Sequence, residues 1–78
     1  MSNQKIQIGK LYKRNIFSNA YLYDSVRNTY TAIVGSGDIV LVVRKCYLDN
    51  EYTLLTGDGM LGTTVLILPY WELIDELL

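Results

Sequence analysis

Turn signals recur along this chain about every eight to twelve residues, and that spacing constrains its fold more than any other feature. Ser25 to Asn28, Gly35-Ser36-Gly37-Asp38, Asp49-Asn50 and Gly57-Asp58-Gly59 each set turn-forming residues between β-branched or aromatic segments. Segments so short suit strands and leave little room for a helix long enough to be stable. Residues 5 to 13, where Ile6 and Ile8 alternate with Lys5, Gln7 and Gly9, read as a first half-buried strand. Thr29 to Val34, Ile39 to Val43, Glu51 to Thr56 and Thr63 to Leu68 bring the count to five. The run Ile39-Val40-Leu41-Val42-Val43 is apolar throughout, as expected of an interior strand covered on both faces, and Arg44-Lys45 marks where cover ends. The Tyr/Asn/Ser-rich stretch from Phe17 to Thr31 reads as a long folded-over loop, with Ala20 to Asp24 its most strand-like part.

Pro69 stops the fifth strand because it cannot donate to a ladder, and Tyr70, Leu73, Ile74 and Leu77 follow at helical spacing. The expectation is a short C-terminal helical turn. Nine residues are marginal for a helix standing alone, so a 3₁₀ turn followed by a strand pairing with the first is the alternative. No repeat or linker divides the chain, and residues 1–78 read as a single small all-β domain. A domain of this size buries roughly 60% of its unfolded surface, a thin margin to which oligomerisation would add.

The chain has no histidine and one cysteine, Cys46. Zinc sites, catalytic triads, Cys-His dyads and internal disulfides each need two or more such groups, so the expectation is a non-catalytic protein with no metal and no cofactor. A lone cysteine favours a reducing compartment, and cytoplasm is the expected location. The longest apolar stretch, Val65 to Trp71, is far short of the ~20 residues that span a bilayer, so no membrane segment is expected. The net charge of −1 hides an asymmetry: residues 1–45 hold all seven basic groups against Asp24 and Asp38, a net of +5, whereas residues 46–78 hold six acids and no base. Such blocks either complement each other within the fold or polarise a surface that steers a partner or a second copy.

Gly57-Asp58-Gly59-Met60-Leu61-Gly62 spells G-x-G-x-x-G. A dinucleotide fingerprint would need a helix after it and an acid some 20 residues on; here a strand follows and the chain soon ends, so a glycine-rich hairpin is the reading. Gly35-Ser36-Gly37-Asp38 lacks the lysine of a phosphate loop and is a turn. Cys46 beside Lys45 has no histidine base and reads as a half-buried small residue. Glu72 with Asp75 or Glu76 would share a solvated helix face rather than flank a cleft.

Seven tyrosines and one tryptophan are the most unusual feature of the composition. Tyrosine presents rigid apolar surface with a polar tip, a combination enriched at binding surfaces. On a strand, Tyr21 and Tyr23 point to one side and Leu22 to the other, so if Leu22 is core both rings face outward.

The order of motifs resembles Src-homology-3 domains, small barrels of five short strands with a long loop between the first two. The matching segments are Ala20-Tyr21-Leu22-Tyr23-Asp24, Gly37-Asp38-Ile39-Val40, Gly57-Asp58-Gly59 and Pro69-Tyr70-Trp71-Glu72-Leu73, covering about residues 20 to 75. The resemblance implies a five-stranded barrel with groove positions at Tyr23, Pro69 and Tyr70 and Trp71 beside them; together with the outward-facing Tyr21 these are the expected partner-binding patch. That family reads proline-rich, arginine-bearing peptides with a tryptophan on the middle strand and acids in the long loop. Here Tyr52 stands near the first position and Arg27 and Asn28 in the loop, which implies altered specificity. The small size, the N-terminal strand and the Asp-Gly followed by Pro-x-Trp-Glu are also similar to short proteins of tailed bacteriophages, implying a binder of a host protein.

Three readings of function result. The first is a protein-interaction or inhibitor module acting on a host or assembly protein through the aromatic patch. The second is nucleic-acid or nucleotide binding by the basic half, with Tyr12 and Tyr21 stacking on bases and Lys10, Lys13 and Arg14 meeting phosphates. The third is a structural homo-oligomer.

Overall fold

The computed structural model describes residues 6–74, which form β1 (Leu11–Arg14), β2 (Ala20–Asp24), β3 (Thr29–Val34), β4 (Ile39–Lys45), β5 (Glu51–Thr56), β6 (Leu61–Val65) and β7 (Trp71–Ile74). All neighbours pair antiparallel in one sheet of order β3-β2-β6-β5-β4-β1-β7. The fold is all-β, and among the described residues no helix is long and apolar enough to cross a membrane.

Two of the seven strands were not among the five expected. Ala20–Asp24 is a full strand, paired with β3 in a hairpin whose turn is pinned by Asp24: its Oδ1 accepts from the amides of Val26 and Arg27 at 2.9 and 3.3 Å. The segment after Pro69 is not the expected helical turn; it follows the alternative, a turn and then a strand that pairs with the first. It pairs with β1 through all four residues, from Leu11↔Ile74 to Arg14↔Trp71, and its alternation turns Trp71 and Leu73 toward the core. The free edge of β1 offers a ladder to residues too few for a stable helix, so the two-residue period wins. Asp75, Glu76 and Leu77, which the helical expectation also used, lie outside the described residues, as does Lys5 of the expected first strand. That strand is shorter than expected because Gly9 turns the chain at φ +83° just before it. The strand expected over 63–68 begins at Leu61 and ends at Val65.

The sheet curls around one core without closing into the five-stranded barrel expected, since the edge strands β3 and β7 do not pair with each other. Val34 from one edge and Trp71 from the other nevertheless share a single cluster with Tyr12, Leu22, Val40, Val42, Leu54 and Leu66. The apolar run of β4 is covered on one face only. Val40 and Val42 are buried, whereas Ile39 and Val43 are exposed, and a bulge between Val42 and Arg44 ends the alternation.

The β2–β3 hairpin lies against β6 through the pairing Tyr23↔Thr63 and a bond from Thr31 Oγ1 to the Leu61 carbonyl, 2.9 Å. Gly62 permits this contact, for a Cβ there would stand 2.6 Å from Leu22 Cβ and 2.8 Å from Thr31 Oγ1. The last glycine of the G-x-G-x-x-G string is thus a packing residue, and the first two belong to the β5–β6 turn.

Candidate functional site

Where the two ends of the curled sheet approach each other, a groove of about 400 Å³ remains. One side comes from Arg14 of β1 and Trp71 of β7. The other comes from Tyr21 of β2, Tyr30 of β3 and Val65 of β6, while Ile67 and Tyr70 of the β6–β7 connection complete the wall. Alternation explains the rim: Leu22 is buried, so Tyr21 on the opposite face stands 51% exposed. Tyr30 and Tyr70 are 65% and 48% exposed. Tyr30 meets both Tyr21 and Tyr23 edge-on, with ring centroids 6.1 and 5.3 Å apart, an arrangement that fixes these rings before any ligand arrives.

The floor is polar beneath an aromatic rim. Trp71 is 1% exposed, and its indole Nε1–H finds no acceptor among the described residues. Arg14, its cross-strand neighbour, is 8% exposed and holds its guanidinium carbon 4.8 Å from the centre of the indole ring. Nε and Nη2 of Arg14 donate to the Ser18 carbonyl and hydroxyl at 3.0 and 3.1 Å, both neutral acceptors. Burial lowers the pKa of this guanidinium, yet arginine keeps its charge in any protein at neutral pH. The ion pairs among the described residues lie elsewhere: Lys13 with Glu72 and Arg27 with Asp24, each at 3.8 Å.

The five residues expected to bind a partner separate in space. Tyr21, Tyr70 and Trp71 line the groove, with Trp71 as floor rather than rim. Pro69 lines a different cavity of about 450 Å³, shared with Gln7, Tyr12, Asn15 and Glu72 and also bordered by Trp71. Tyr23 is half-buried, bonds Asn28 through its hydroxyl, and reaches the groove only by buttressing Tyr30. The four residues of the phosphate reading do not share a face. Tyr12 is buried in the core with its hydroxyl accepting from the Gln7 amide, so no ring face is left for a base. Lys13 points to the side of β1 opposite Tyr12 and Arg14, where Glu72 neutralises it, and Lys10 is exposed on the preceding turn.

Tyr30, Val65 and Ile67 are groove residues that sequence reasoning missed, as are Asn19, Ala20 and Thr64. Tyr30 was accessible in principle: a hairpin turning at residues 25–28 puts it opposite Tyr23. Nothing local marks Val65 or Ile67, which reach the groove only through the curl of the sheet. Cys46 is half-buried, its sulfur 3.4 Å from Thr53 Oγ1. No protein-family model matches the chain, and neither the curated proteins nor the solved structures contain a match.

Proposed function

We propose that this chain is a non-catalytic protein-interaction module of the Src-homology-3-like type, of the kind short phage proteins use, docking a host or assembly protein in the cytoplasm through the groove between Tyr21, Tyr30 and Tyr70. The observation that carries this reading is the groove itself: three rings, about half exposed or more, two of them (Tyr21 and Tyr30) held edge to edge, around a buried floor. Rigid aromatic anchors around a partly desolvated floor are what concentrates binding energy at protein interfaces. Strand order supports the family resemblance. Without the β2–β3 hairpin the sheet reads β6-β5-β4-β1-β7, five strands with one long excursion, residues 15–38, between the first two in sequence.

The test compares the groove with an equally aromatic site outside it. Tyr21→Ala with Tyr70→Ala is expected to weaken capture of a cytoplasmic protein partner by about tenfold or more. Tyr47→Ala, at a fully exposed position outside the groove, is expected to leave capture unchanged. Equal capture by both folded variants would reject the reading.

One further observation favours self-association as a second reading. Ile74, Leu11, Leu41, Leu55 and Leu61 are successive register partners across β7, β1, β4, β5 and β6, an aliphatic row outside the buried core cluster. Leu41→Lys with Leu55→Lys would then convert an oligomer to monomer in sedimentation. A wild-type mass equal to one chain at every concentration would dismiss this reading.

A further inference from the structure

The groove floor holds two hydrogen-bonding groups that the described residues leave partly or wholly unmet, and both are donors. Arg14 is a buried cation with no carboxylate within ion-pair distance among the described residues. Trp71, whose ring it covers, carries a buried indole N–H without an acceptor. Either feature alone costs stability: an unpaired charge out of water is among the most expensive groups to bury, and an unmet donor loses its hydration for nothing. The two residues are directly paired and both line the aromatic groove, where Arg14 is a cation that the described chain leaves without a counter-ion; Trp71 lies beneath it and also borders the Pro69 cavity.

We propose that the partner inserts a carboxylate, the side chain of an aspartate or glutamate carried on an apolar segment, against Arg14 and Trp71. This inference rests on the groove being the docking site and names what docks there. A carboxylate fits better than a phosphate on charge, because the groove lining contains one cation and no other titratable base. Guanidinium N–H groups match a carboxylate's oxygens, and such charge-assisted bonds are about twice as strong as neutral ones. Walls of Tyr21, Tyr30, Val65, Ile67 and Tyr70 would accept the apolar flanks and shield the pair from solvent. The neighbouring cavity at Pro69 is a poor alternative for an anion, since Glu72 already lines it. The charge relation is the reverse of the resemblance drawn from sequence, in which acids of the domain read a basic ligand.

The single tryptophan gives a clean readout, since the isotope-labelled full chain has one indole N–H resonance. Three probes of similar size are titrated: phenylbutyrate, its neutral amide and phenyl phosphate. Phenylbutyrate is expected to shift the indole N–H and the Arg14 Nε–H together and to bind about tenfold more tightly than the amide. Arg14→Gln should erase that preference. Should Arg14→Gln fail to fold, Arg14→Lys keeps the charge, loses the fork, and is expected to lose most of the preference. Equal binding of carboxylate and amide would overturn the carboxylate while leaving the groove reading standing. Tighter binding of phenyl phosphate would overturn it in favour of a phosphorylated partner, and no shift with any probe would overturn it outright. A carboxylate preference that survives Tyr21→Ala with Tyr70→Ala would support the anion site and reject the aromatic groove as its setting.

Discussion

The β5–β6 turn and the floor of the groove make opposite use of polar groups. In the turn, Thr56 Oγ1 donates to Asp58 Oδ1 at 2.5 Å and accepts from the Met60 amide at 2.9 Å, while the Gly59 amide donates to the Thr56 carbonyl. Its polar atoms are turned on one another, and nothing there requires a ligand. In the groove floor, an indole N–H has no acceptor and a guanidinium has no counter-ion among the described residues. The string that most resembles a motif, G-x-G-x-x-G, is self-satisfied, whereas the pair with no motif to announce it, Arg14 and Trp71, is not. Unmet chemistry is a better guide to function than a matched string, because a buried donor without an acceptor carries a cost that a turn does not.

The largest effect expected from this contrast falls on Gly62→Ala. The new Cβ would collide with Leu22 Cβ and Thr31 Oγ1 and press on the Leu22 backbone, which cannot rotate away. Overpacking of this kind costs about 1–3 kcal/mol, and urea unfolding should show the midpoint falling accordingly. Gly57→Ala is the control within the same string. Its Cβ would meet nothing within 4 Å and its φ is not in the left-handed region, so its cost should be within about 0.5 kcal/mol of zero. If both substitutions cost alike, the glycines share a role that packing does not explain.

The same contrast bears on what the sequence could reveal. Local signals carried far: five of seven strands, the turns between them and the outward direction of Tyr21 follow from period and turn chemistry alone. The sequence leaves β7 between two readings because Tyr70, Leu73, Ile74 and Leu77 satisfy a helical period while Trp71 and Leu73 satisfy a strand period, and only the free edge of β1 decides for the strand. The groove was half legible. Tyr21, Tyr70 and Trp71 stand out by composition, but Arg14 and Trp71 are far apart in sequence and become partners only through the β1–β7 ladder. That no carboxylate of the described residues pairs with Arg14 is a property of the folded chain that charge counting along the sequence cannot express.

A small expected change in stability, at Arg14, is the most informative. Arg14→Met removes a buried charge and keeps an unbranched chain of similar length over the indole. Lost are the cation–π contact, about 0.5–2 kcal/mol, and two bonds to Ser18, whose exposed position lets water replace the protein donors. Gained are the desolvation cost no longer incurred and a sulfur–aromatic contact of about 0.3–1.5 kcal/mol. These terms nearly cancel, so unfolding stability should stay within about 1 kcal/mol of wild type. The lowered pKa of Arg14 has the same sense. A base whose folded pKa is depressed makes the charged folded state less stable, and stability recovers only as pH rises through that folded value, so near neutral pH the cost is constant and stability should not vary with pH on its account. If Arg14→Met instead cost as much as a core truncation, Arg14 would be a structural residue. A variant that keeps its stability and loses its preference for carboxylates would separate the two roles, and would mark Arg14 as a charge the fold tolerates for the sake of what it binds.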